Sequence, residues 1–422
     1  MLELWATICA MPHPAIDAQL AAVLVADAIA GKAPAALLES LCGALVAAGV
    51  PLVRGTVGAL LVHPLLDATL VIWRADRGAY LDDTARPAVR GNEAWRHSPF
   101  HRLQQDESSV LRCRLEQGEG VQAYTVLAEL AVEGATDYLA LRTQLAAGVT
   151  LGEGTSIYSS WITHRAGGFS QADLDRLQGI EPLLAVLVAA ALGTATAGTL
   201  LATYLGADAA RRVLGGDIER GRVEMIQAVI WYSDLAGFTR LVDKVSGAGM
   251  LQMYRGHAEV LGLLNDYAEI LVDAIEGRGG QVLKFMGDGI LAIFRGDSDA
   301  EACEAALAAW IEASARCDHL GRRRAAETHP YLALHAGEVL YGNIGGRARL
   351  DFTVLGPAVN EAARIAAMCR SLGQSVVMSE SFAELCPPHR QESLVALGRH
   401  TLRGVARAQM LFGLAPAAGL RR

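Results

Sequence analysis

Two aspartates stand where an apolar run meets glycine. Asp234 follows "AVIWYS" (228–233) and precedes "LAGFT". A carboxylate at the C-terminal end of a strand, beside a Gly turn and a helix start, suits a metal–phosphate site. The carboxylate holds Mg²⁺, and the free backbone N–H groups of the helix start take phosphate oxygens. Alone, Asp234 fits a helix N-cap equally well. Asp288 sits at the tip of "GGQVLKFMGDGILAIF" (279–294), where two apolar strands flank a turn. Two carboxylates reaching one place could hold two Mg²⁺ ions, roughly 3.5–4 Å apart, as in phosphoryl-transfer sites generally. Alone, Asp-Gly is a common hairpin turn. Lys284 lies four positions before Asp288. The opposite charges could pair on the surface or serve two different sites, and Lys284 could also be a solvated strand residue. Further on, Asn360 and Arg364 lie four apart on a helix beginning near Pro357, so they share a face. Together they can orient a ribose and stabilise charge on a pentavalent phosphorus. Alone, they fit an ordinary exposed helix face.

The elements that must position these residues belong to a chain of 422 residues, enough for two or three domains. Hydrophobic residues make up 52%, ample for packed cores. The formal net charge of -8 argues against a general nucleic-acid binder, which needs a basic surface. Seven scattered cysteines without a CxxC predict a reduced, cytoplasmic chain without a structural zinc site. The N-terminus, "MLELWATICAMPHP", carries Glu3 where a secretory signal needs basic residues. The uncharged stretch from Pro182 to Ala207 is long enough to cross a bilayer. Its Ala, Gly and Thr content favours instead a buried or dimer-packed helix, since small residues let helix backbones approach closely.

Before that stretch, "AIDAQLAAVLVADAIAG" and "APAALLESLCGALVAAG" read as helices ending in Gly. "LVRGTVGALLV", "ATLVIW", "SVLRCRL", "DYLALRTQL" and "SIYSSWITH" read as strands, with a helix at "YTVLAELAVEG". Ser170 with Asp173 three residues on predicts a capping box that opens a long helix. This order, with its closing helix, resembles a GAF domain, and an α/β sensor module is expected over residues 1–182. His97 and His101 in "HSPFH", like His164 and Trp161, read as ordinary surface or core residues. "GGDI" at 215–218 lacks the hairpin context of a diguanylate cyclase signature. Residues 183–222 are expected to be a helical linker.

The second half is identified by four stretches in order: "YSDLAGFT", "LKFMGDGILAIF", "HAGEVLYGNIG" and "DFTVLGPAVNEAARI". They resemble the catalytic domain of class III nucleotidyl cyclases over about residues 223–415. The resemblance implies a ferredoxin-like α/β sandwich that dimerises head to tail, with active sites between two copies. It implies that Asp234 and Asp288 hold two Mg²⁺ or Mn²⁺ ions, with the Leu235 carbonyl as a backbone ligand. Gly237, Phe238 and Thr239 fall in the phosphate-cradling turn. Lys284 and Thr353 fall at the base-reading positions, Asn360 at the ribose-orienting one and Arg364 at the transition-state arginine. Arg403 in "LRGVA" is a candidate triphosphate contact.

Purine choice then follows from hydrogen-bond chemistry. Lys284 can donate to adenine N1, and the Thr353 hydroxyl can accept from the 6-amino group. ATP is the expected substrate, with 3′,5′-cyclic AMP and pyrophosphate as products. Guanylyl cyclase, or an inactive nucleotide-binding module, are the alternatives. In the family dimer Lys284 and Asp288 serve different sites, so they need not pair. A homodimer has two equivalent sites, and an unidentified small molecule or protein would act on the N-terminal domain. Two departures from the family pattern are extra length around "KVSGAGMLQMYRGHAEV" and Pro357 where an acidic residue is frequent.

Overall fold

The computed structural model describes residues 16–60, 68–82, 93–146, 156–238, 240–242, 250–324, 328–403, 405 and 407–415. The chain divides into two compact units, Met1–Leu200 and Leu201–Arg422.

The first unit runs α1 (Ala18–Ile29), α2 (Pro34–Ala47), β1 (Arg54–Leu60), β2 (Ala68–Arg74), β3 (Gly78–Asp82), α3 (Glu93–Arg96), α4 (Pro99–Gln105), β4 (Val110–Cys113), α5 (Thr125–Val132), β5 (Asp137–Gln144), β6 (Ser156–Thr163) and α6 (Gln171–Leu205). Its six strands form one antiparallel sheet in the order β3-β2-β1-β6-β5-β4. Successive side chains of a strand point to opposite faces. Ile157 and Trp161 of β6 therefore enter a core with α1, α2 and α6. Ile162, with Tyr138 and Ala140 of β5, enters another core with α4 and α5. The capping box at the start of α6 is formed. The Ser170 N–H donates to Asp173 Oδ2 at 2.8 Å, and the Asp173 N–H to Ser170 Oγ at 3.3 Å. Arg165 also reaches Asp173 at 2.6 Å. The helix contains Pro182 and covers most of the expected uncharged segment, ending at Leu205, where Gly206 with φ +85 separates it from the helix that follows. It is long and apolar enough to cross a membrane by length and composition, and 33% of its most apolar stretch is buried in the protein.

The second unit runs α7 (Ala207–Leu214), β7 (Val223–Ala236), α8 (Met250–Glu276), β8 (Gln281–Met286), β9 (Gly289–Phe294), α9 (Asp299–Arg324), β10 (His329–Gly345), β11 (Leu350–Leu355), α10 (Pro357–Leu372), β12 (Val376–Ser379), α11 (Glu380–Leu385), α12 (Pro388–Gln391), β13 (Leu394–His400) and β14 (Gln409–Leu414). Eight strands form one sheet in the order β13-β14-β12-β10-β7-β9-β8, with β11 pairing β10. Among the described strands of this sheet, only β10 and β12 pair in parallel. Alternation along β7 again separates two faces. Val229 and Trp231 pack with residues of α8 and α9, while Ala228 and Ile230 pack with Ala358 and Ala362 of α10. The mixed α/β architecture expected from the sequence is what the chain forms. β7 is longer than the apolar run suggests, because the exposed residues 223–225 extend its pairing with β10. The extra length ahead of the hairpin falls partly in α8, a helix of 27 residues. Residues 243–249 of that stretch lie outside the described ones.

The described cysteines, Cys42, Cys113, Cys303, Cys317, Cys369 and Cys386, are buried thiols. His101 donates through Nδ1–H to the Arg96 carbonyl at 3.0 Å. Among the described residues, no three His, Cys, Asp or Glu side chains gather as a metal cluster.

Candidate active site

The end of β7 and the β8–β9 turn meet because glycine lets them. Ser233 is in register with Ile290, which places Asp234 beside Gly289. A Cβ on Gly289 would fall 2.4 Å from the Ser233 carbonyl oxygen, so only glycine fits there. At the turn itself Gly287 has φ +68, the left-handed region that favours glycine. The outcome is a pair of carboxyls, Asp234 and Asp288, within hydrogen-bonding reach of each other. Partial burial, and then the like charge and hydrogen bond of Asp288, push the Asp234 carboxyl above the ordinary carboxylate range. The Leu235 N–H, 3.1 Å from Asp234 Oδ1, pulls it back. Asp234 keeps solvent-exposed surface, so the close like charge is the more telling cause. No basic side chain among the described residues forms an ion pair with either carboxylate. Two neighbouring carboxyl groups offer oxygen donors, the chemistry a hard divalent cation takes.

Past Leu235 the chain turns at Gly237, with φ +80, and Phe238 opens a helical turn packed against the core of α8 and α9. The Leu241 N–H donates to the Gly237 carbonyl at 3.1 Å. Thr239 lies outside the described residues.

Lys284 does not pair with Asp288. Its ammonium is bonded to the carboxylate of Asp351 on β11. A bulge in β8 between Val282 and Lys284 leaves Leu283 without a partner on β9 and puts Lys284 opposite Leu291. Such a bulge bends a strand and re-aims its side chains. Thr353, two residues beyond Asp351, is 5% exposed, and its Oγ1 has no hydrogen-bond partner. A buried hydroxyl left unpaired costs roughly 1–3 kcal/mol. Opposite Thr353 stands Gly342, where a Cβ would fall 2.2 Å from the Arg222 carbonyl oxygen.

Asn360 and Arg364 lie on the first two turns of α10, which starts one residue after β11. Asn360 is exposed and Arg364 half-buried. Among the described residues, no hydrogen bond or ion pair joins either of them to the aspartates. The register explains the separation. Asp234 faces Tyr331 near the start of β10, and Thr353 faces Gly342 near its end. The chain thus places Asp234 toward the start of β10 and Thr353 toward its end, while Lys284 is tied to Asp351 on β11. Arg403 is exposed between β13 and β14. Sequence reasoning missed Asp351. Its alternation with Thr353 in "DFT" is the signal that could have found it.

No protein-family model matches the chain. An uncharacterised protein of Mycobacterium tuberculosis is 34% identical over 201 residues, 47% of this chain and 33% of that protein. A protein of Anabaena cylindrica named adenylate cyclase is 28% identical over 173 residues, 39% of this chain and 32% of that protein. The chain therefore spans about a third of the length of these curated relatives. Among solved structures, a bacterial light-regulated adenylyl cyclase is 18% identical, with TM-score 0.46, covering 66% of this chain and 92% of that one. The adenylyl cyclase of P. aeruginosa is 20% identical, with TM-score 0.39, covering 46% and 97%. A guanylyl cyclase is 25% identical, with TM-score 0.38, covering 47% and 98%. These solved structures to which the chain is similar are adenylyl and guanylyl cyclases.

Proposed function

We propose that the second unit is a class III nucleotidyl cyclase that converts ATP to 3′,5′-cyclic AMP and pyrophosphate at the interface of a homodimer. The observation that carries this reading is the Asp234–Asp288 pair. Two carboxylates held together, with no basic partner among the described residues, are suited to a cation, and Asp234, Asp288 and the Leu235 carbonyl are the oxygens that would hold Mg²⁺ or Mn²⁺. Two such ions, when bound, supply activation of the ribose hydroxyl and neutralisation of phosphate charge.

The chain's own residues do the rest. The backbone N–H groups of the turn at Gly237 and Phe238, with Thr239 after them, are suited to cradle phosphate oxygens. Arg403 is a further candidate for the triphosphate. Lys284 donates to adenine N1, and the unpaired Thr353 hydroxyl accepts from the 6-amino group. Asn360 orients the ribose, and Arg364 stabilises the charge that develops at phosphorus.

In this reading each site takes its aspartates from one copy and its base- and ribose-binding residues from the other. An exposed apolar row supports a second copy. Met225, Leu340 and Leu355 are neighbours across β7, β10 and β11, and Met225 is 68% exposed. Contiguous exposed apolar surface of this kind marks an interaction site. The first unit is read as the regulator, acting through α6, with its ligand or protein partner unidentified.

The test is direct: purified protein is assayed with ATP and with GTP, in Mg²⁺ and in Mn²⁺, for cyclic products. Cyclic AMP in excess is the expected result. Cyclic GTP-derived product in excess would replace the substrate, and no product with either nucleotide would overturn the enzymatic reading.

A further inference from the structure

We propose that Cys303 and Cys386 are a peroxide-oxidisable thiol pair whose disulfide clips α9 to the end of α11. The proposal concerns the second unit alone and does not depend on the cyclase reading. Cys303 lies in the second turn of α9, and Cys386 is the residue that ends α11. Both side chains enter the core that α9 shares with β7 and β10, at 0% and 3% exposure. They converge on one oxygen. The Phe382 carbonyl accepts from the Cys386 N–H at 3.1 Å and from the Cys303 thiol at 3.8 Å. The two thiols are also within hydrogen-bonding reach of each other. The pair sits just under the surface, covered by α12, a single turn opened by Pro387 and Pro388. Gln391 Nε2 of that turn donates to the Cys386 carbonyl at 2.9 Å, and Arg390 holds Glu304, the neighbour of Cys303, at 2.6 Å. A turn held by so few bonds, at least one of them partly exposed, opens far more readily than the sheet beneath it.

A thiolate is the nucleophile toward peroxide, so the thiol that ionises first attacks. Cys386 is that thiol. The hydrogen bond from Cys303 holds it below the ordinary thiol range, burial opposes this, and Arg390 adds to the lowering. Burial is the leading cause at Cys317 and Cys369 and pushes both up to about 12, so they stay protonated. The Cys386 sulfur takes one oxygen of hydrogen peroxide and the O–O bond breaks. The other oxygen leaves as hydroxide and collects the proton that Cys386 gave up, forming water. The Cys303 sulfur then attacks the sulfenic sulfur of Cys386, the S–O bond breaks, and the hydroxyl leaves with the Cys303 proton as a second water. Two thiols are oxidised to a disulfide and one peroxide is reduced to two waters. A sulfenic acid without a neighbouring thiol goes on to the irreversible sulfinic acid, and Cys303 prevents that. The new bond closes a long loop that holds β10, β11 and α10. Closing such a loop restricts the unfolded chain, and the melting temperature of this unit is expected to rise by roughly 5–15 °C.

The test treats the full chain with hydrogen peroxide under native conditions. One portion is digested without reductant and mapped by mass spectrometry, and another is melted with and without dithiothreitol. The expected result is a peptide pair joined through Cys303 and Cys386, lighter than its reduced parts by two hydrogens and split by dithiothreitol. Melting of the second unit should rise with the bond and fall back on reduction. Cys303→Ala should abolish the rise and leave Cys386 as a sulfenic acid that dimedone captures. Ala suits a helix interior, and melting of the variant before oxidation reports its fold. The wild-type map needs no variant and decides by itself if Cys303→Ala does not fold. A link that forms only in urea, a link from either cysteine to another thiol, or both thiols left unmodified by peroxide would overturn the pair. An unchanged melting temperature in chain shown to carry the link would overturn the clip.

Discussion

Replacing Glu181 with Gln should make the first unit markedly more stable at neutral and alkaline pH and change little in acid. Glu181 lies on α6, 4% exposed, facing β5 and β6. The Ser159 hydroxyl donates to its Oε2 at 2.6 Å and the Thr143 hydroxyl lies 3.5 Å from Oε1. Burial pushes its carboxyl from an ordinary 4.5 up to about 7, and the two hydroxyls only partly offset this. No opposite charge contributes to that balance. The folded state thus holds a proton that the unfolded chain releases at lower pH. The protonated acid's contribution is complete below about 4.5, falls as pH rises, and is gone above about 7. With about 1.36 kcal/mol per pH unit, the loss is about 3 kcal/mol. Gln keeps the shape and an acceptor for Ser159 but cannot ionise. At pH 8 the variant should therefore gain roughly 6–12 °C in the melting transition of this unit, at 2–4 °C per kcal/mol for its size. Calorimetry of the full chain between pH 4.5 and 8, with the two transitions resolved, measures the difference from wild type. Trp161 gives a second probe, since its Nε1 donates to Ser159 Oγ at 3.1 Å. A variant-minus-wild-type difference that stays flat across that range would refute the buried, protonated carboxyl.

Three further outcomes concern the second unit. Asp234→Ala or Asp288→Ala should abolish turnover with Mg²⁺ or Mn²⁺ while leaving the melting temperature at or above wild type, because each removes one of two repelling charges as well as a ligand oxygen; full activity in either sinks the metal assignment. Gly289→Ala should lower stability by about 1–3 kcal/mol and raise the metal concentration needed for half-maximal activity, since its Cβ would meet the Ser233 carbonyl at 2.4 Å; a silent substitution would mean the turn has room to spare. Lys284→Glu with Thr353→Cys should move the ATP/GTP preference toward GTP by about one to two orders of magnitude, and an unchanged ratio would remove these side chains from base reading.

Local chemistry made much of this legible. The Ser170–Asp173 capping box, the hairpin around Asp288 and the helix bearing Asn360 and Arg364 depend on residues close in sequence, and reading nearby residues suffices for them. Pairings across the sheet are different. The Lys284–Asp351 bond joins residues 67 positions apart, and it depends on a bulge that no residue type in "QVLKFM" announces. Glu181 reads as a polar residue at the edge of an apolar helix. Its burial appears only when β5 and β6 close over it. Asp234 showed the same limit in milder form. Its apolar run marked the strand, but the exposed start of β7 is fixed by pairing with β10 and not by composition.

The central claim is that each active site is shared between two copies, and mixing two inactive variants tests it most directly. One chain carries Asp288→Ala and the other Asn360→Ala. Each homodimer should be nearly inactive, because both of its sites lack an essential group. In a heterodimer the Asp288→Ala chain still supplies Lys284, Thr353, Asn360 and Arg364, and its partner still supplies Asp234 and Asp288. Those halves meet in one complete site while the other site collects both defects. Cyclic AMP formation should reappear on mixing, at up to about half the wild-type rate per heterodimer. If every catalytic residue of a site came from a single chain, mixing would restore nothing, and that result would contradict the shared site.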